Sequence, residues 1–183
     1  ARRQHFIIVW LNQASGYGSP APYFRSMVGL TMIGLDIETT RDGRILGVGL
    51  AWWVGSEVWG SWLTLEEFGT WFETHPNEIF AIHNAKFDLD KLLEVGYNIK
   101  RFEDTYLMAH VLRRDQEVGS LGLKELALAD LGMTWAGMEE LGWPEDMEEG
   151  ERARYCVNDA AGGLRLERLY YERIRGGKEE AAD

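Results

Sequence analysis

Two carboxylates stand two positions apart in the segment Gly-Leu-Asp-Ile-Glu-Thr-Thr, at Asp36 and Glu38. The apolar residues around them indicate a β-strand, in which alternate side chains share a face, so both acids are predicted to project from one side. Their mutual repulsion favours a bound cation, and hard oxygen ligands suit Mg²⁺ or Mn²⁺. The pair is a candidate metal site, although an Asp-x-Glu pattern also occurs by chance on exposed strand edges in a chain with 30 acidic residues.

A third carboxylate, Asp88, follows a short apolar strand predicted at Ile79–Ile82 and lies near the start of a helix. In α/β proteins, ligands collect at the carboxyl ends of strands, and Asn84 adds an amide at the same junction. The alternative is an acid in the first helical turn that complements the helix dipole.

A fourth carboxylate, Asp159, lies four residues after Tyr155 on a long predicted helix, so both side chains share one helix face. A phenol next to a metal-bound carboxylate can position an attacking water. A tyrosine packed beside an exposed aspartate would have the same spacing, and the order of all three motifs is more specific than any one of them.

In that order, the motifs Asp-x-Glu, Asn-x-x-Phe-Asp and Tyr-x-x-x-Asp resemble those of the DEDD exonucleases of the tyrosine type. The resemblance is strongest to the proofreading 3′→5′ exonuclease domain of family A DNA polymerases, and it covers about residues 28–175. It implies an α/β fold of the ribonuclease H-like type, a mixed β-sheet flanked by α-helices. It also implies two Mg²⁺ or Mn²⁺ ions, held by four carboxylates: Asp36, Glu38, Asp88 and Asp159.

By the same resemblance, Tyr155 orients the nucleophilic water, and three residues contact the substrate: Thr39, Asn84 and Phe87. The implied reaction releases nucleoside 5′-monophosphates from a nucleic-acid 3′ end, most simply single-stranded DNA, and a DNA polymerase is a candidate partner. An RNA-trimming exonuclease similar to ribonuclease D is an alternative. A non-catalytic scaffold of a polymerase assembly is another, but such a domain is expected to have lost a metal ligand.

Composition limits the classes of protein that fit. The chain has 183 residues, 45% of them hydrophobic, which suits a single domain with one substantial core. A net charge of −11 argues against a wide phosphate-binding surface, so bound cations would have to supply the local positive charge. One cysteine and no long apolar run indicate a reducing, cytoplasmic setting without a membrane partner.

The predicted organisation is an extension of uncertain role over residues 1–27 and an exonuclease domain over 28–183, either free-standing or part of a larger polymerase. Strands are predicted from Val28 to Glu38, at Ile45–Trp53, around Val58–Leu63 and at Ile79–Ile82. Helices are predicted at 65–75, 86–95, after Asp104-Thr105, at 121–131 with Ser120 as the cap, and from about 151 to 175. The acidic stretch 138–151 is predicted to be a solvated loop.

Overall fold

A computed structural model describes the backbone of residues 7–10, 32–113 and 120–180, and the side chains of 32–113 and 120–176. Residues 28–31 of the first predicted strand lie outside this part of the chain. Within it, six strands form one mixed sheet in the order β1-β4-β3-β2-β5-β6. They are β1 (Ile7–Trp10), β2 (Met32–Thr39), β3 (Ile45–Val54), β4 (Glu57–Leu63), β5 (Ile79–Ile82) and β6 (Phe102–Asp104).

The pairs β1–β4, β4–β3 and β3–β2 are antiparallel, whereas the pairs β2–β5 and β5–β6 are parallel. The helices are α1 (Leu65–Thr74), α2 (Ala85–Glu94), α3 (Thr105–Leu112), α4 (Leu123–Leu131), α5 (Met138–Leu141) and α6 (Glu149–Glu180), with a 3-10 helix at Pro144–Asp146. This mixed sheet flanked by helices confirms the predicted ribonuclease H-like α/β fold.

The two faces of the sheet have different cores, as the alternation along β2 predicts. Ile33, Leu35 and Ile37 point to one face, where they pack with Phe68 of α1 and Leu92 of α2. The other face is covered by α6, whose small and apolar residues pack on β3, β4 and β5. Asp36 and Glu38 therefore point toward the α6 face of the sheet.

Glycines let α6 lie unusually close to this face. A β-carbon at Gly34 of β2 would stand 2.2 Å from the backbone oxygen of Ala160, and one at Gly49 of β3 would stand 2.8 Å from the sulphur of Cys156. Both distances are shorter than any normal contact, so a side chain at either position would push the helix away. The helix that bears Tyr155 thus approaches the backbone of the strand that bears Asp36.

Most predicted elements are present with bounds shifted by one or two residues, and the Thr64 capping box of α1 is formed with Glu67. The prediction that Ser120 caps α4 is wrong. The N-cap is Gly122, and Ser120 instead accepts a hydrogen bond from the Gly122 backbone nitrogen at 3.1 Å. Strand β6, three residues long with the sequence Phe-Glu-Asp, was not predicted because it is too short for a periodic pattern.

The prediction of a loop over 138–151 is wrong in part. The segment contains α5, the 3-10 helix and the first turn of α6. Arg41, in the turn after β2, forms ion pairs with both Glu145 and Asp146 and lies over the ring of Trp143. These acids are paired to a distant arginine, a contact that local sequence patterns do not reveal.

No helix in the described part of the chain is long and apolar enough to cross a membrane. The strand at Ile7–Trp10 lies inside the segment 1–27 and pairs with β4. The division of the chain at residue 27 stays a prediction.

Candidate active site

Asp36 and Glu38 occupy the carboxyl-terminal half of β2, next to a β-bulge. Asp36 lies opposite Gly49 and Glu38 opposite Gly47 on β3, and the register shifts between Glu38 and Thr39. The Trp62 ring packs on Gly47 and Cys156 packs on Gly49, which only residues without a β-carbon allow, and a bulge at this point re-aims the end of the strand. Glu38 is buried, whereas Asp36 and Thr39 keep partial exposure.

Asp88 joins this pair through the backbone of β2. Strand β5 pairs with β2 only as far as Gly34, so the amide of Ile37 has no strand partner on that side. Asp88, in the first turn of α2 and 5% exposed, accepts a hydrogen bond from that amide at 3.1 Å. The third acid is therefore fixed beside the residue that separates Asp36 from Glu38.

The junction between β5 and α2 is held by a further acid, Asp104. Its carboxylate accepts hydrogen bonds from the backbone nitrogens of Asn84 at 3.1 Å and Ala85 at 3.0 Å, and it also caps α3 through Tyr106. Asn84 has a φ of 58°, the one positive value among non-glycine residues in the described chain. Because the backbone is held in this way, the Asn84 side chain stays exposed and makes no capping bond.

Tyr155 and Asp159 come to the site from α6, with Cys156 between them. The Cys156 thiol donates to the Asp36 carboxylate at 3.2 Å, so α6 touches β2 at the first motif. One ligand atom from each of Asp36, Glu38 and Cys156 lies within 4.8 Å of the other two. Asp36 also interacts electrostatically with Glu38, Asp88 and Asp159, and Tyr155 does so with Asp36, Glu38 and Asp159, so the five residues predicted to be catalytic lie near one another.

Burial and mutual repulsion raise the pKa values of these acids. Burial, then the charge of Asp159, raises the pKa of Glu38 to about 8. Burial raises the pKa of Asp88 to about 7, against the lowering effect of the hydrogen bond from Ile37. Asp36 has a pKa well above its usual value because of burial, the charge of Glu38 and the charges of the other two acids. A cluster that is costly to ionise has a strong electrostatic demand for a cation.

A comparison with protein-family models shows the family of the chain. The profile of a 3′–5′ exonuclease family associated with family A DNA polymerases matches residues 61–168, more than half of the chain. The chain belongs to this 3′–5′ exonuclease family. The matched segment contains Asp88, Tyr155 and Asp159, while Asp36 and Glu38 precede it. A search of curated proteins found no matching relative.

Two side chains of this exonuclease domain that the sequence did not single out also contact Asp159. The ammonium of Lys124, on α4, lies 2.9 Å from each carboxylate oxygen of Asp159, and the indole nitrogen of Trp135 donates to the same group. This lysine belongs to the run Ser-Leu-Gly-Leu-Lys-Glu-Leu-Ala at 120–127. Lys124 places a cation of that run at the site, and no local pattern could reveal a contact 35 residues away.

His83 helps to position that run, and both of its ring nitrogens have hydrogen-bond partners. One ring nitrogen lies 2.9 Å from the Thr105 hydroxyl and the other 3.0 Å from the carbonyl oxygen of Leu121. Burial lowers the pKa of His83, which favours the neutral ring. This histidine connects β5 of the exonuclease domain to the segment that leads into α4, and its role is structural.

The donor set of the exonuclease domain fits divalent cations. Two carboxylates on β2, one on α2 and one on α6 would provide the oxygen ligands, and burial is the main cause of their raised pKa values. Carboxylate oxygens are the preferred ligands of hard cations.

Proposed function

We propose that this domain is a metal-dependent 3′→5′ exonuclease that hydrolyses the terminal phosphodiester of single-stranded or frayed DNA 3′ ends and releases nucleoside 5′-monophosphates, in proofreading, repair or DNA degradation. The observation that carries the proposal is the convergence of Asp36, Glu38, Asp88 and Asp159 from three separate elements, beside Tyr155. Two Mg²⁺ or Mn²⁺ ions held by these carboxylates would supply Lewis-acid activation of water and stabilisation of the leaving 3′ oxygen.

Tyr155 would act as a neutral hydrogen-bonding group. Burial, then the charge of Asp159, raises the pKa of the Tyr155 phenol well above its usual value, so the hydroxyl keeps its proton at neutral pH. A neutral phenol can orient the attacking water but cannot serve as its base. Rotation of Tyr155 is limited because its ring is buried and faces the ammonium of Lys124 at 4.5 Å.

Three exposed or partly exposed groups would bind the terminal nucleotides. Phe87 is 48% exposed one residue before Asp88, which makes its ring available for stacking on a base. Asn84 projects its side chain at the start of α2, and Thr39 stands at the bulge after Glu38. A site that binds only a few nucleotides, through stacking and bound cations, needs no wide basic surface, which is consistent with the net charge of −11.

The test is digestion of 5′-labelled single-stranded DNA and, separately, RNA of the same sequence, with Mg²⁺, Mn²⁺ or EDTA. The expected result is a ladder that shortens from the 3′ end with either metal and is abolished by EDTA. Faster digestion of RNA would replace the DNA assignment with RNA trimming. Lack of cleavage of both substrates with both metals would contradict the proposed activity and leave a scaffold role.

A further inference from the structure

Lys124 has surroundings that a simple structural ion pair does not require. Its ammonium bonds both oxygens of Asp159, lies 3.4 Å from the Tyr155 hydroxyl, and faces the rings of Tyr155 at 4.5 Å and Trp135 at 5.6 Å. Its alkyl stem passes 3.5 Å from the position of a β-carbon on Gly137. A cation is thus held between two aromatic rings at a proposed metal ligand.

Helix α4, which carries Lys124, is anchored to its neighbours. Helix α4 packs through Leu126 against Leu166 and Tyr170 of α6, and Asp130, in the last turn of α4, accepts hydrogen bonds from Tyr170 and from Arg113. The Lys124 side chain, by contrast, is 26% exposed, and a lysine stem has four carbons that can rotate. The backbone position is fixed while the ammonium can change partner.

Lys124 and a divalent cation would compete for one carboxylate. Burial raises the pKa of Asp159, but Lys124 opposes this effect by its charge and its hydrogen bond, so the lysine neutralises part of the cluster. A cation bound by Asp159 would remove that partner and repel the ammonium. The nearest new anion would be the phosphate of a substrate in the same site.

We propose that Lys124 is the counter-ion of Asp159 in the metal-free protein and transfers to the substrate phosphate when a divalent cation takes Asp159. The inference rests on the proposed exonuclease function. In this role Lys124 would be a third cation at the site, beside the two metal ions, and one that the chain itself supplies. The chain has few other candidates because acidic residues outnumber basic ones. Removal of the charge is therefore predicted to change metal affinity and cleavage rate in opposite directions.

The test uses Lys124→Met, which keeps an apolar stem and removes the charge, with Lys124→Gln as a second neutral variant should the first fail to fold. Calorimetric titration of the metal-free protein with Mn²⁺ should show tighter binding, by roughly three- to tenfold, because a competing partly exposed ion pair is lost. Single-turnover cleavage of 5′-labelled DNA at saturating Mn²⁺ should slow by about tenfold or more, because a charge on the phosphate is missing.

Lys91→Met is the matched control. Lys91 also lies on a helix, is 24% exposed and pairs with one carboxylate, that of Glu94, outside the site. It should change neither quantity. A merely structural Lys124 would give weaker or unchanged Mn²⁺ binding in its variants, and that result would overturn the counter-ion role.

The two proposals fail in different ways. If the wild-type protein cleaves DNA and the Lys124 variants cleave equally fast at saturating Mn²⁺, the transfer to phosphate is wrong and the exonuclease function stands. If the wild-type protein cleaves nothing with either metal, the proposed function is wrong, and with it the transfer. The Mn²⁺ titration still decides whether Lys124 competes for Asp159.

Discussion

At the scale of single residues, Asp36 lies among three other carboxylates, and all of them raise its pKa. Such a group lowers the stability of the metal-free fold when it ionises, because its charge is better solvated in the unfolded chain. A cation that neutralises the cluster relieves this repulsion, and the relief favours metal binding. Stability and the proposed activity are therefore expected to respond in opposite directions to changes at this residue.

Replacement of Asp36 by Asn should show this opposition. Asp36→Asn is expected to raise the thermal midpoint of the EDTA-treated protein near neutral pH. It is also expected to lower the cleavage rate by more than about 100-fold, because loss of a residue that only orients a metal ligand costs up to about that factor. Circular dichroism and the gel assay measure the two effects. Asp90→Asn, which removes an exposed acid paired with Lys86, should leave both unchanged. Loss of folded protein in Asp36→Asn would show a structural role instead.

The dependence of stability on pH has a definite sign. The pKa of Glu38 in the folded protein is about 8 and that of Asp88 about 7, whereas both carboxyls have values near 4 when unfolded. Between these limits the folded state binds more protons, so the free energy of unfolding falls as pH rises. The metal-free protein should thus melt at progressively lower temperature from about pH 5 to about pH 8.

Thermal unfolding of EDTA-treated protein at several pH values in this window measures the effect. Glu38→Gln should flatten the curve, because one of the two groups no longer titrates. Addition of Mn²⁺ should raise the midpoint more at the upper end of the pH window than at the lower end, because protons compete with the ion for the carboxylates at low pH. A midpoint that rises with pH in the absence of metal would contradict the electrostatic account.

At the scale of elements, the contact between α6 and the sheet positions the third motif against the first. The helix lies against Gly34 and Gly49, and its Cys156 thiol bonds Asp36. Any displacement of the helix would therefore separate Tyr155 and Asp159 from the carboxylates of β2. The close packing of glycines and helix is a requirement of the site as well as of the core.

Gly34→Ala tests this requirement. Its methyl group would stand 2.2 Å from the Ala160 carbonyl oxygen, a backbone atom that can move only with the helix. The expected cost is about 1–3 kcal/mol of stability, the usual range for overpacking, together with slower cleavage. Chemical denaturation and the gel assay measure both.

Gly176→Ala is the matched control for Gly34→Ala. It makes the same substitution in α6 where nothing lies within 4 Å of the new methyl group. Stability there should be unchanged or higher by up to about 1 kcal/mol, from helix propensity. Equal effects of the two substitutions would show that the contact between helix and sheet is not restrictive.

At the scale of the whole molecule, the acidic balance limits how substrate can be held. Acidic residues outnumber basic ones by 30 to 19, and several basic side chains, among them Arg41, Lys86 and Arg113, already pair with carboxylates, which limits the basic surface available to phosphates. Binding should depend on a few local contacts. The KM for single-stranded DNA in Mg²⁺ should vary with KCl with a logarithmic slope no greater than about 2, since each neutralised phosphate contributes about 0.7.

Initial rates over a range of KCl concentrations at fixed Mg²⁺ give this slope, and oligonucleotides of increasing length control for contacts distant from the 3′ end. The slope should not increase beyond a few nucleotides. A slope of about 4 or more, which corresponds to about six neutralised phosphates, or a slope that grows with length, would indicate an extended phosphate-binding surface.

Local sequence patterns determined much of this architecture. The alternation Leu35-Asp36-Ile37-Glu38 predicts which residues enter the core and which face the site, because a strand has a period of two whatever surrounds it. Helical spacing likewise predicts that Tyr155 and Asp159 share a face, and the Thr64 capping box marks the start of α1. These features depend on residues within about one turn of each other.

Only the tertiary structure brought together groups that no local pattern relates. The bonds from Asp88 to Ile37, from Cys156 to Asp36 and from Lys124 to Asp159 join residues 35 to 120 positions apart. Their geometry depends on where β5 ends, how closely α6 packs on glycine, and where α4 is anchored. Burial and electrostatic coupling follow from these placements, so the raised pKa values and the lysine at the fourth carboxylate became visible only in the folded chain.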